Sequence, residues 1–460
     1  MDADELVRVV AALRAARAAE APRLDVIRRN MLDQATDLYL PKSATAEYRM
    51  LVDQARFNVL SLVVESKVQN LFVDGFRPSG PSGRIAGVAN SPIWDAVWQP
   101  NRMDARQAAL FRSAITYGAG FAVVLPGDTA PVITPMSPLR LTALYDDPVV
   151  DQWPRFALVV DPPRVAAAGA GRFAPADVRV LDANFVYTVA GESGRVVRAE
   201  EHGLGVCPVV RFVDRFDADG WSPGKVEPLL PAQRQLNQTT FSLLMAQQFA
   251  AFRQRWATGM AIEEDADGNP KEPWNAAVNA VWQNESPDGR FGDFAETNLD
   301  GYLSTRDKIL LYVASVAQVP PHNMLIGAGI SNISAEALAA LESGHRHDIA
   351  GYQTGFGESM EQVLRLAGLA LGGDAGLAAW RDTSAQVVWR DTTPRSLAQI
   401  ASALGMLAVQ LEIPPRALWE RVPGVTDQDL EVWRSLADDA EQLDRLSSLL
   451  LDVGPAGGVG

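Results

Sequence analysis

Between Pro231 and Val319 two long helical patterns enclose an acidic, helix-poor insert, and this arrangement constrains the chain more than any other feature. Pro231 suits a first helical turn, where its missing N–H costs nothing. Phe241, Met245, Phe249, Phe252 and Trp256 then recur at spacings of four and three, the mark of one apolar helix face. A helix over 232–256 would be roughly 37 Å long, at about 1.5 Å per residue. Gly259 to Asp300 is different in kind. Its acids, Glu263, Glu264, Asp265, Asp267, Glu272, Glu285, Asp288, Asp293, Glu296 and Asp300, face only Lys271 and Arg290. Trp274 and Trp282 supply a little core. The spacing of an EF-hand loop is absent, so this reads as a small module with a solvated acidic face. A second helix, Leu303 to Val319, ends at Pro320-Pro321.

The flanks alternate in texture. Leu6, Val9, Val10 and Leu13 predict an amphipathic helix over 5–20. One helix is expected over 44–72, stopped by Asp74-Gly75, then a loop from Pro78 to Gly87. Another spans Met103 to Tyr117 and stops at Gly118. Short β-branched and aromatic runs follow at Phe121–Leu125, Arg155–Val160, Val178–Leu181, Asn184–Val189 and Val209–Val213. Beyond a loop over 320–333, Ser334 suits the N-cap of a helix running towards Gly372-Gly373, with a bend expected at Gly351, Gly355 and Gly357. Gln386–Arg390 reads as a strand. Helices resume at Arg395, broken at Pro414-Pro415 and Pro423-Gly424, and the last residues from Gly454 are expected to fray. The expected class is α+β.

A chain of 460 residues suggests more than one folding unit. Its net charge of -15 is the wrong sign for gripping nucleic acid, which needs Lys and Arg at the phosphates. Cys207 is the single cysteine, so no intrachain disulfide and no cysteine zinc site can form. The N-terminal Met1-Asp2-Ala3-Asp4-Glu5 lacks the pattern of a signal peptide, and no apolar run reaches the roughly 20 residues of a membrane span. Folding in the cytosol is expected, with no membrane partner.

Several apparent motifs fail on chemistry. Gly220-Trp221-Ser222-Pro223-Gly224 matches a nucleophile elbow, but Pro223 has no N–H to give an oxyanion hole. Gly169 to Ala174 resembles a dinucleotide fingerprint, yet Pro175 stands where a helix should begin. Gly220 to Lys225 is one residue short of a phosphate loop, and Val226 replaces its hydroxyl. His345 and His347 are two apart, on nearly opposite sides of a helix, and cannot share a metal; His202 and His322 complete the histidines. No cofactor, metal or reaction is expected. A soluble enzyme with a dispersed site is the distant alternative.

Four stretches together carry a resemblance. They are VVESKVQNLFVDGF (63–76), WQPNRMDARQAALFRSAITYGAGFAVV (98–124), GWSPGKVEPLLPAQRQLNQTTFSLL (220–244) and VPPHNMLIGAGISNISAEALAALESG (319–344). In content and order they resemble the portal proteins of tailed bacteriophages of the SPP1-like and HK97-like type. The third resembles the lead-in to that family's first stem helix, through Gly220, Ser222, Glu227, Pro231, Gln233, Leu236 and Asn237. The resemblance spans about 45 to 375.

It implies a portal fold with a helical and β-rich wing, two-helix stem, small α/β clip, tunnel loop and helical crown. The implied boundaries are 1–227 for the N-terminal wing, 228–258 and 302–319 for the stem helices, and 259–301 for the clip. The tunnel loop would be 320–333, a long wing or crown helix 334–374, and a wing strand plus crown 375–460. It further implies a ring, usually of twelve subunits, at the capsid vertex of a virion assembled in the host cytoplasm. Double-stranded DNA would pass through for packaging and ejection. Terminase large subunit, a head–tail adaptor, and major capsid and scaffolding proteins would be the partners. Pro320, Pro321, His322, Asn323, Met324 and Asn332 would line the channel loop, which carries no formal charge. Such a wall lets a duplex slide, since phosphate contacts need cations. Arg234, Arg253 and Arg255 of the first stem helix, beside Asn237, either face DNA or pair with a neighbour's acids. Glu263, Glu264, Asp265, Trp274 and Trp282 would form the clip's docking surface. Another head–tail connector component is the nearer alternative.

Overall fold

The computed structural model describes residues 2–35, 38, 46–79, 91–161, 177–190, 195–251, 255–258, 290–293, 298–324, 335–392, 397–419, 422, 425 and 427–452. The chain divides into two compact units, Met1–Trp389 and Arg390–Gly460.

The first unit begins with α1 (Ala3–Met31), almost twice the length expected from sequence. Pro22 sits inside it. A proline removes one ladder hydrogen bond, but burial of Leu6, Leu13, Leu24 and Ile27 on both sides of it holds the helix together. The single helix expected over 44–72 is two, α2 (Ala46–Gln54) and α3 (Leu60–Val68). Asp74 and Gly75 do not end a helix; they lie in strand β1 (Val73–Arg77). After α4 (Pro92–Val97), α5 (Met103–Tyr117) ends at Gly118 as expected, in the left-handed conformation at φ 92°.

The β-rich part contains the five expected strands and three unexpected ones. The strands are β2 (Ala119–Leu125), β3 (Val132–Met136), β4 (Leu141–Leu144), β5 (Phe156–Val160), β6 (Val178–Leu181), β7 (Phe185–Val189), β8 (Val196–Glu201) and β9 (Val209–Val213). They make a three-stranded sheet, β3-β2-β9, and a five-stranded sheet, β4-β5-β6-β7-β8, antiparallel throughout. Leu6, Val10 and Leu13 of α1 cover one face of the larger sheet, at Leu158, Val180 and Tyr187. The other face packs on the smaller sheet through Leu141, Ala157 and Val159 against Phe121, Val123 and Val209.

A 3-10 turn (Glu227–Leu229) leads into α6 (Leu230–Ala251). The helix stops short of Trp256. Arg255–Thr258 is instead strand β10, antiparallel to β11 (Arg290–Asp293). Trp256, which extended the apparent helical stripe, belongs to a ladder. Then come α7 (Asp300–Ala317), a 3-10 turn (Pro321–Asn323), α8 (Ala335–Leu371) and α9 (Gly373–Arg381). Helix α8 runs unbroken through Gly351, Gly355 and Gly357. Of the three, Gly357 faces a close neighbour: a Cβ there would touch Val387 and Trp389, whereas one on Gly351 would meet nothing. Strand β12 (Gln386–Trp389) pairs with β1, so the chain returns to its N-terminal part before leaving the unit. One large core joins α3, α5, α8 and the smaller sheet, with Phe111 stacked on Phe356 at 5.3 Å.

The second unit holds α10 (Leu397–Gln410), α11 (Pro415–Leu418) and α12 (Asp427–Asp452). Trp419 meets Trp433 edge-on, and Arg416 pairs with Asp438 and Glu441 of α12.

Candidate functional site: a helix pair and the charge cluster at its end

Helices α6 and α7 pack on each other, with β10 and β11 pairing between them, so 230–317 forms a hairpin around the acidic insert. The insert's Glu263, Glu264, Asp265, Trp274 and Trp282 lie outside the described residues, as do Arg253 and Asn332. Arg255 lies on β10 rather than on α6. Arg234 is exposed on α6.

Asn237 is not exposed. It and Gln233 are buried, and they explain why one expected helix became two. Gln233 Nε2 donates to Phe57 O at 2.7 Å, and its Oε1 accepts from Val59 N–H at 3.2 Å. Asn237 Oδ1 accepts from Phe57 N–H at 3.2 Å and from Gln233 Nε2 at 2.8 Å. A helix break between Ala55 and Val59 frees backbone groups that must find partners when buried. Two amides one helical turn apart supply them.

The far end of α7 is held by charge. Gln318, left-handed at φ 53°, caps the helix. Its carbonyl accepts from Lys67 Nζ at 2.8 Å and from His345 Nδ1 at 3.0 Å. A cation suits a helix C-terminus, where unsatisfied carbonyls gather partial negative charge. His345 Nδ1 also stands 3.0 Å from Lys67 Nζ, and its Nε2 lies 3.5 Å from the Asn70 amide nitrogen. The Lys67 side chain is 0% exposed. Its counter-charge is Asp348 on α8, with Oδ2 at 2.8 Å, an ion contact outside hydrogen-bond angles. Asp348 Oδ1 accepts from Lys225 Nζ at 2.9 Å. One carboxylate thus joins α3, the segment before α6 and α8, while Lys67 also holds the end of α7. Beside it, Tyr352 donates to Asp214 at 2.6 Å.

The titration directions follow from this geometry. Burial alone would raise the Asp348 carboxyl, but the two ammonium groups outweigh it and hold it below the ordinary value. Asp214, buried with weaker compensation from Tyr352 and Lys225, is pushed up to about 6. Burial and then the Lys67 charge lower His345.

Past Gln318, Val319 and Pro320 are buried and Pro321–Asn323 make one 3-10 turn. Met324 packs on the large core. His322 is half-buried with Nδ1 unpartnered, and Asn323 is exposed. The loop's first five residues are therefore anchored rather than free. Among the described residues no cluster of His, Cys, Asp or Glu could hold a metal ion, and no helix is long and apolar enough to cross a membrane.

Residues 13–444 match the family described as phage portal protein, SPP1 Gp6-like. No curated protein matches the chain. Similar solved structures include a chain of the virion of a native gene transfer agent particle, at 12% identity and a TM-score of 0.44, covering 84% of this chain and 94% of that one. A chain of the neck of the native particle, computed with C12 symmetry, has the same identity and score, with 85% and 89% coverage.

Proposed function

The chain belongs to the SPP1 Gp6-like family of phage portal proteins, and from that premise we propose how its parts serve a portal, the structural protein of the virion's capsid vertex. The chain assembles with copies of itself into a ring, usually of twelve. DNA passes through the centre for packaging and ejection. The observation that supports this most is the outer face of α7. Leu311, Tyr312 and Val316 are 43%, 63% and 46% exposed on consecutive turns. A large apolar face of this kind marks an interaction surface. In a ring, each neighbour repeats the same head-to-tail contact and covers it.

In this reading α6 and α7 are the stem, 259–300 is the clip that docks the terminase large subunit and the head–tail adaptor, and 320–333 is the channel loop. Arg390–Gly460 is the crown. The charge cluster fixes where the stem ends and the loop begins. The loop carries no charge, so a duplex slides past it. Replacing Asn323 with Lys is expected to slow packaging, with added salt relieving the effect as phosphate contacts weaken. Packaging that proceeds at the parent rate at low salt would show that the loop does not face DNA.

A further inference from the structure

Two loops meet on the surface of the first unit, 146–151 after β4 and 214–222 after β9. They touch at Gly220, where a Cβ would stand 3.1 Å from Pro148 Cγ and 3.5 Å from Val149 Cγ2. Arg211 of β9 donates to Pro148 O. Each loop also fixes its own shape. Asp147 Oδ1 accepts from Val149 N–H at 2.9 Å, and Asp151 Oδ2 accepts from Asp147 N–H at 2.7 Å. Asp217 O accepts from Gly220 N–H at 2.9 Å.

The joined loops turn large apolar side chains outward. Val149, Val150 and Trp221 are 46%, 74% and 57% exposed. They are neighbours, since Val149 lies against the residue that precedes Trp221. None of them packs on a core cluster of the described residues, so the fold gains little by holding them. Single exposed apolar residues are ordinary, whereas a contiguous group rimmed by polar residues marks an interaction site.

The rim has one sign. Asp147, Asp151, Asp217 and Asp219 make no ion pair among the described residues. The arginines of the same segments are engaged elsewhere. Arg155 pairs with Asp146 at 3.3 Å, Arg211 lies over the Tyr145 ring at 4.5 Å, and Arg215 acts on Asp214. An apolar centre inside an uncompensated acidic rim is complementary to an apolar surface edged with cations.

We propose that this two-loop patch docks a partner-protein segment in which apolar side chains alternate with lysine or arginine. The segment's apolar side chains cover Val150 and Trp221, and its cations meet the four aspartates. A second copy of this chain, at a net charge of -15, is the poorer match. The loops' own hydrogen bonds hold the patch in shape before binding, which lowers the ordering cost of association.

The test uses the full chain and a fluorescein-labelled, acetylated and amidated hexapeptide, Lys-Leu-Val-Lys-Leu-Lys, read by anisotropy. Saturable binding is expected. A peptide of equal charge with serine in place of Leu and Val should bind about ten-fold more weakly, because no apolar burial remains. Val150→Ser and Trp221→Ser should each weaken the apolar peptide several-fold and leave the thermal midpoint unchanged, since neither side chain packs on a core. Asp217→Asn with Asp219→Asn should also weaken it several-fold. Asp95→Asn with Asp128→Asn, exposed acids outside the patch, should not. Absence of saturable binding at millimolar peptide would overturn the proposal. Equal binding of the serine peptide, or equal losses in the two aspartate pairs, would show general attraction to an acidic protein and would overturn it too. Assembled rings that reject the peptide while the free chain accepts it would show that a neighbouring copy covers the patch, with the same consequence.

Discussion

Asp348→Ala is expected to destabilise the first unit by about 3–5 kcal/mol, the range for removing one partner of a buried ion pair. The loss comes from what remains. Lys67 is wholly buried and Lys225 is 9% exposed, and both ammonium groups would lose their counter-charge. Urea unfolding at pH 7 measures the effect. The triple change Lys67→Met, Lys225→Met and Asp348→Leu should recover most of it, since apolar groups of similar size often match a buried ion cluster. A loss below about 1 kcal/mol for Asp348→Ala would show that the cluster does not clamp these segments.

The pH dependence has a definite sign for each group. Asp348 lies below its ordinary value of 3.8, so its contribution is present above that value and fades as pH falls through the folded one. His345, lowered from 6.5, contributes above 6.5 and loses that contribution as pH falls through its folded value. Asp214 acts in the opposite sense. Raised to about 6, it favours the fold fully below 3.8 and loses that contribution as pH rises through 6.

Gly118→Ala is expected to cost about as much, above roughly 4 kcal/mol, in the range that marks a specific steric cause. At φ 92° a side chain is strained whatever the space around it. Here the space is also taken. The added Cβ would overlap Ser222 O and stand 2.8 Å from its carbonyl carbon. Gly224 meets the same turn from the other side, where a Cβ would stand 2.6 Å from Gly118 N. These two glycines let the turn after α5 and the loop before α6 touch backbone to backbone. Gly344→Ala is the control. It is helical with nothing within 4 Å, and should gain up to about 1 kcal/mol. Equal effects of the two changes on the thermal midpoint would contradict the close-contact account.

Features that declared themselves in the sequence were local ones. Helix α5 carries its stop signal, Gly118, directly after Tyr117. Five strands are bounded by turn residues and rich in Val and Phe. What escaped depended on partners far along the chain. The break between α2 and α3 has no proline; it exists because Gln233 and Asn237, about 180 residues later, complete its hydrogen bonds. Strand β8, with Arg198, Glu200 and Glu201, is exposed along its whole length and shows no apolar face to read. Trp256 continued a helical spacing by coincidence, and its ladder partner, Gly292, lies at the far end of the acidic insert.

The charge cluster was missed although two of its members stand in quoted stretches, Lys67 in VVESKVQNLFVDGF and Lys225 in GWSPGKVEPLL. One signal was there. Leu60, Val63, Val64 and Lys67 fall at positions i, i+3, i+4 and i+7, so Lys67 occupies the apolar face of α3. A lysine in that place needs a buried counter-charge. Nothing local to it points to Asp348.

Whether the chain closes into a ring is read from its native mass by light scattering, with negative-stain imaging of the same sample. The expected result is rings of about a dozen subunits with a central opening. A compact dimer or tetramer without an opening would contradict it.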